Sequence, residues 1–138
     1  MLIRQFVAAD QDAVIRLWEI CDLSRLWNDP EKDIARKLAE QPELFLVGEL
    51  EGQVIASAMF GYDGHRGSLA YLAVAPSMQR RSFGKRLMHA GEKLLEARGC
   101  PKINLLVRNT NLEVLRFYQK LGYADDSVVS VGKRLIRD

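Results

Sequence analysis

The sequence predicts one α/β (α+β) domain: a mixed, mostly antiparallel sheet with helices on its faces, in the order β-α-α-β-β-β-α-β-α-β. Three observations carry this prediction. Stretches of helical and of strand periodicity alternate along the chain. Two strand stretches meet at Glu51-Gly52, a two-residue hairpin signal. One strand–helix–strand crossover, Ser68 to Val107, adds a connection that a pure meander lacks. With 138 residues the chain makes a single domain, 1–138, too short for an eight-stranded α/β barrel or two dinucleotide-binding halves. An apolar content of 48% and a charged content of 28% suit an ordinary globular protein.

Leu2 to Phe6 reads as the first strand. Asp10 is placed to cap a helix whose apolar face is Ala13/Val14, Leu17/Trp18 and Cys21. Asp29 followed by Pro30 starts a second helix that runs to about Glu40, with Ile34 and Leu38 inward, and Pro42 stops it. Glu43 to Leu50 and Gln53 to Phe60 form the hairpin strands. A glycine-punctuated turn, Gly61 to Gly67, leads to a strand over Ser68 to Val74 that Pro76 ends. Phe83, Leu87, Ala90/Gly91 and Leu94 mark a helix from Phe83 to Arg98, stopped by Gly99 and Pro101. Lys102 to Val107 is a strand, Asn111 to Leu121 a short helix, and Val128 to Ile136 a closing strand.

Twenty Lys and Arg against eighteen Asp and Glu leave a net charge of +2, too little for a dedicated nucleic-acid binder. No apolar run reaches the roughly 18 residues of a membrane span, and the first residues lack a signal peptide's apolar segment. Cys21 and Cys100 have no metal-ligand spacing, and two histidines make no metal site. The expectation is a cytoplasmic protein with free thiols and with no metal, membrane or nucleic-acid partner.

The most informative stretch is Gln79-Arg80-Arg81-Ser82-Phe83-Gly84-Lys85-Arg86, between a strand and a helix. Small residues at Ser82 and Gly84 let a ligand approach the backbone. The first N–H groups of the helix lack partners and, with the helix dipole, form an anion site. Arg80, Arg81, Lys85 and Arg86 surround it. A diphosphate fits these features; a solvated basic helix start is the plainer reading. The later segment Asn109-Thr110-Asn111 to Phe117-Tyr118-Gln119-Lys120-Leu121-Gly122-Tyr123 supplies an N-cap and an aromatic helix face.

Together the two segments resemble the GNAT family of N-acetyltransferases. Gln79-x-x-Ser82-x-Gly84 looks like the family's acyl-CoA pyrophosphate motif, and Asn111…Phe117-Tyr118-x-x-Leu121-Gly122-Tyr123 is similar to its second motif. The element order matches the family from end to end. Trp27-Asn28-Asp29-Pro30, Gly61 to Gly67 and Gly99 to Ile103 are closest to the small bacterial YpeA-type members. The resemblance implies a six- to seven-stranded GNAT-type sheet with helices on both faces. It implies an N-acetyltransferase that moves an acetyl group from acetyl-CoA directly to a primary amine of a small molecule or protein. Ser82 stands where the family most often has glycine. If that backbone needs φ > 0, serine is strained by about 1 kcal/mol; if it is simply the helix start, serine is harmless.

On this resemblance, Gln79 opens the loop and the amides of Arg81, Ser82, Phe83, Gly84 and Lys85 grip the pyrophosphate, with Arg80 or Lys85 on the outer phosphates. The pantetheine arm lies along Leu72, Ala73 and Val74, and an N–H near Val74 polarises the thioester. Asn111 bonds the arm and Tyr118 is the general acid. The strand Ser68–Val74 has no carboxylate, which leaves Asp63 and His65 as the nearest base candidates. Trp27, Tyr62 and Asp63 are the acceptor-pocket candidates, although Trp27 could be a buried staple and Asp63 simple turn chemistry. A non-catalytic acyl-CoA-binding module is the alternative function. The acceptor amine is unidentified, and the chain is a monomer or a homodimer, the latter paired through Val128–Val131.

Overall fold

The computed structural model describes residues 1–138. The chain divides into two units, Met1–Asn104 with Asp138, and Leu105–Arg137. Strands β1 (Leu2–Gln5), β2 (Phe45–Leu50), β3 (Gln53–Tyr62), β4 (Gly67–Val74) and β5 (Ile103–Leu105) form one mixed sheet in that order. The first three neighbouring pairs are antiparallel. Helices α1 (Gln11–Ile20), α2 (Pro30–Ala39) and α3 (Phe83–Ala97) belong to the first unit, and α4 (Leu112–Lys120) to the second.

Local chemistry explains most boundaries. The β2–β3 turn places Glu51 at φ +52 and Gly52 at φ +79, the two left-handed residues that a tight hairpin with the strands' own twist requires. Asp29 caps α2 by accepting the Glu31 and Lys32 N–H groups, and Pro30 occupies the first turn, where no N–H is needed. Asp10 departs from expectation. Its own backbone is helical, and its carboxylate caps nothing in α1. The carboxylate instead closes the short 3-10 turn Ala8–Asp10 by accepting the Val7 N–H at 2.9 Å, and takes the Arg4 guanidinium on both oxygens at 2.8 and 2.9 Å. A buried carboxylate favours the two-pronged cation over a single helix N–H.

Side-chain alternation sends the sheet's residues to two faces. On one face, Phe45, Val47 and Ala73 meet Val14, Leu17 and Trp18 of α1 and Ile34 of α2, with Phe6 stacked on Phe45 at 4.4 Å. On the other face, Phe60 of β3 presses on Gly91 of α3. Helices on both faces therefore stand as expected. Leu38 does not turn inward: it is 38% exposed, while Ile34, one turn earlier, is fully buried.

In the second unit, Asn111 caps α4 by accepting the Val114 N–H, and Gly122 at φ +93 follows the helix end. The expected closing strand Val128–Ile136 is absent: Val128, Val129, Val131, Leu135 and Ile136 are exposed and outside any ladder. Alternating valines show only that a segment fits a pleated surface, whereas a strand also needs a partner for its N–H and C=O groups. The sheet therefore has five strands, fewer than expected.

A methyl group at Gly91 would lie 2.1 Å from the Phe60 ring. Gly91→Ala is expected to lower stability by about 1–3 kcal/mol in urea unfolding, because a packed ring cannot yield that distance cheaply. An unchanged midpoint would contradict this packing.

Candidate functional site

Strand β4 carries a bulge. Ser57 faces Ala73 and Met59 faces Ala70, so Tyr71 and Leu72 share the single position opposite Ala58. Tyr71 sits at φ +54, a left-handed conformation that costs a bulky residue on the order of 1–3 kcal/mol. Three contacts hold it, and a bond between two of its partners backs them. Its ring stacks on Trp18 at 3.7 Å and 11°. Its carbonyl accepts the Ser57 hydroxyl at 2.8 Å. Ser57 Oγ in turn accepts the Trp18 Nε1–H at 2.9 Å, and both residues are fully buried. The Tyr71 hydroxyl donates to Asp33 Oδ2 of α2 at 2.5 Å. Burial and the Asp33 carboxylate push that hydroxyl well above the usual tyrosine range, so it remains protonated.

Beyond the bulge, the Val74 carbonyl accepts from Gln79 Nε2 at 3.0 Å and from the Cys21 thiol at 3.4 Å. Burial pushes the Cys21 thiol up, which keeps it neutral and a poor nucleophile. The three residues of β5 cannot run the length of the eight in β4. Those strands join at the other end, where the Gly67 N–H donates to the Lys102 carbonyl at 2.8 Å.

A 3-10 turn at Pro76–Met78 then leads into the predicted cradle. Arg80 (φ +64) and Ser82 (φ +63) are both left-handed, and α3 starts at Phe83. The first helical hydrogen bond runs from the Arg86 N–H to the Ser82 carbonyl. The N–H groups of Phe83, Gly84 and Lys85 therefore have no acceptor within the helix and point out of its start. Of the four cations, Arg80 and Lys85 are exposed, and Arg81 lies over the Phe83 ring at 5.0 Å. Arg86 turns away to the Met1 carbonyl at 2.9 Å. Ser82 takes the strained of the two alternatives, and its hydroxyl makes no capping bond.

The turn before β4 is a separate place. Asp63 Oδ1 accepts the His65 and Arg66 N–H groups, both at 2.7 Å, and these bonds hold its carboxyl below the usual range. Gln41 takes both the N–H and the carbonyl of Tyr62. Tyr62 and Asp63 line a cleft of about 450 Å3 with Glu40, Gln41, Arg66 and Asn104. From Gly67 to Val74, β4 spans the six steps from Tyr62 to Ala56 on β3, about 20 Å at 3.3 Å per residue, so Asp63 and His65 lie far from a group held at Val74. Both expected base candidates therefore lie at the end of β4 away from Val74. Asp63 serves the turn, and His65 is exposed. Trp27 precedes α2, whereas Tyr62 is tied just past its other end, roughly 15 Å along a ten-residue helix. The three acceptor-pocket residues are therefore not gathered, and Trp27, 56% exposed, is no buried staple.

In the second unit, the Asn111 carboxamide oxygen accepts the Val114 N–H at 3.3 Å as the α4 cap. Tyr118 is buried, edge-on to Phe117 at 5.1 Å and to Tyr123 at 5.6 Å, and burial pushes its hydroxyl up to about 12. Sequence reasoning missed Asp33, Ser57 and the role of Tyr71. A bulge shows only in strand pairing, and Asp33 reaches Tyr71 across 38 residues of chain.

The model of the acetyltransferase (GNAT) family matches residues 11–123. An acetyltransferase of Yersinia enterocolitica is 53% identical over 138 residues, covering 100% of this chain and 98% of that one. Among solved structures, the ribosomal-protein-S18-alanine N-acetyltransferase from Escherichia coli superposes with a TM-score of 0.72 at 24% identity, covering 88% and 76% of the two chains. AAC(6')-Iy, in complex with the bisubstrate analogue CoA-S-monomethyl-acetylneamine, gives a TM-score of 0.79 at 20% identity over 96% and 97%.

Replacing the strained serine tests the geometry of the α3 start. Ser82→Gly is expected to raise stability by about 1 kcal/mol in thermal or urea unfolding, because glycine meets φ +63 without a Cβ penalty. A loss of stability would contradict the left-handed assignment.

Proposed function

The chain belongs to the GNAT acetyltransferase family, and from that premise we propose that it moves an acetyl group from acetyl-CoA directly to a primary amine, with residues 1–138 acting as one catalytic domain. The carrying observation is the α3 start: three outward N–H groups after two left-handed residues, with Arg80 and Lys85 exposed beside them. A doubly charged diphosphate suits that set of donors and cations. The CoA-containing ligand of AAC(6')-Iy supports the same donor class. Subgroup resemblance points to the small bacterial YpeA-type members.

In this reading the amides from Arg81 through Lys85 bind the diphosphate and Arg80 or Lys85 the outer phosphate. Leu72, Ala73 and Val74, beyond the bulge, offer the pantetheine arm an extended edge, and an N–H near Val74 polarises the carbonyl. Asn111 bonds the arm. Acetyl-CoA supplies an activated thioester whose sulfur leaves as a thiolate. Tyr118 meets that sulfur as a neutral donor. With a hydroxyl at about 12 against a thiol near 8.5, full proton transfer is uphill by about 5 kcal/mol, so Tyr118 shares its proton before water completes the transfer.

Thermal unfolding with acetyl-CoA, with ATP as control, tests the donor. Acetyl-CoA at about 100 times its Kd is expected to add about 2.7 kcal/mol, and ATP far less. Tyr118→Phe keeps that stabilisation and lowers amine-dependent thiol release by about 100-fold. Wild-type turnover in Tyr118→Phe would remove its role. Stabilisation with no thiol release for any amine would favour a binding module.

A further inference from the structure

We propose that Tyr71 and Asp33 are the proton relay that readies the acceptor amine, with Tyr71 touching the amine and Asp33 acting through it as a positioning and proton-accepting residue. This rests on the acetyl-transfer reading above. No carboxylate stands on β4, and Asp63 and His65 lie at its far end. The bulge brings one to the near end. Tyr71 is one residue before Leu72 and three before Val74, the stretch assigned to the pantetheine arm. Its left-handed backbone lifts it out of strand alternation, its ring is fixed on Trp18, and its hydroxyl donates to Asp33 Oδ2 at 2.5 Å.

Asp33 is held from its other oxygen. Arg36 donates to Oδ1 at 3.1 Å, which reserves Oδ2 for the phenol. Arg36 also binds Asp138 Oδ1 at 2.6 Å, and Lys32 Nζ donates to the Asp138 carbonyl at 3.2 Å, so two cations balance the two side-chain carboxylates and fix Asp33 in place. A phenol that donates one hydrogen bond keeps a lone pair to accept another.

The step balances. One proton leaves the ammonium nitrogen for Tyr71 Oη as the phenol proton passes to Asp33 Oδ2. The amine gains the lone pair it needs to attack, Tyr71 ends neutral, and Asp33 becomes the carboxylic acid. Asp33, with 23% of its side chain exposed, then releases the proton to water.

Acetyl-CoA-dependent thiol release with two probe amines tests this, each corrected for its uncatalysed rate. Benzylamine is largely protonated near neutral pH; hydroxylamine is largely neutral. Tyr71→Phe and Asp33→Asn are each expected to lower the benzylamine rate by about 100-fold and the hydroxylamine rate by less than about 3-fold, since only the first needs the relay. Acetyl-CoA raises the unfolding temperature of both variants as it does that of the wild type, which shows that the donor site is intact. Equal losses with the two amines, or none, overturn the relay and leave the acetyl-transfer reading in place. Wild-type protein that gains no stability from acetyl-CoA and releases no thiol overturns that reading and the relay with it.

Discussion

A single buried serine holds the bulge of β4 in place. Ser57 Oγ accepts the Trp18 indole N–H and donates to the Tyr71 carbonyl, joining α1, β3 and β4 at one atom. Without that bridge, a buried donor and a buried acceptor would each lose a partner, at about 1–3 kcal/mol apiece. The bridge secures Tyr71 in a conformation costing on the order of 1–3 kcal/mol. The Trp18 stack contributes about another 0.5–1.5 kcal/mol beyond its buried area. The bulge is thus over-determined by its surroundings.

From that fixed point, β4 acquires two unlike ends. Past Tyr71 the strand runs through Leu72 and Val74 to an α3 start with outward N–H groups and exposed cations, suited to an anion. Beside Tyr71 stand Asp33 and Asp138, joined by Arg36, with Lys32 on the Asp138 carbonyl. The far end, with Gln41 clasping Tyr62 and Asp63 closing its own turn, is built for shape. Its side chains are occupied by backbone groups rather than left open to chemistry.

Local signals made much of this legible in the sequence. Glu51-Gly52 marks its hairpin because only left-handed residues close it; Asp29-Pro30 and Asn111 mark their helices because the caps are local bonds. The cradle was legible for the same reason: a helix start is an anion site wherever it occurs. What stayed hidden depends on partners distant in sequence. Asp10 prefers Arg4 to the helix it precedes, a choice set by the fold around β1. Val128–Ile136 has a strand's pattern but no ladder. Asp33 reads as one more surface charge on α2 until the bulge delivers Tyr71 to it. The missing strand carboxylate was visible, but the contact of Asp33 with that strand was not.

The Ser57 bridge is expected to hold β4 in the shape that acetyl-CoA binding needs. Calorimetric titration of acetyl-CoA into wild-type protein and into Ser57→Ala, whose side chain is fully buried and touches no ligand, tests it most directly. The expected result is at least about a tenfold loss of affinity, some 1.4 kcal/mol, in a variant that still unfolds cooperatively. Equal affinity in the two proteins would show that the bridge does not govern the donor strand, and would contradict the claim.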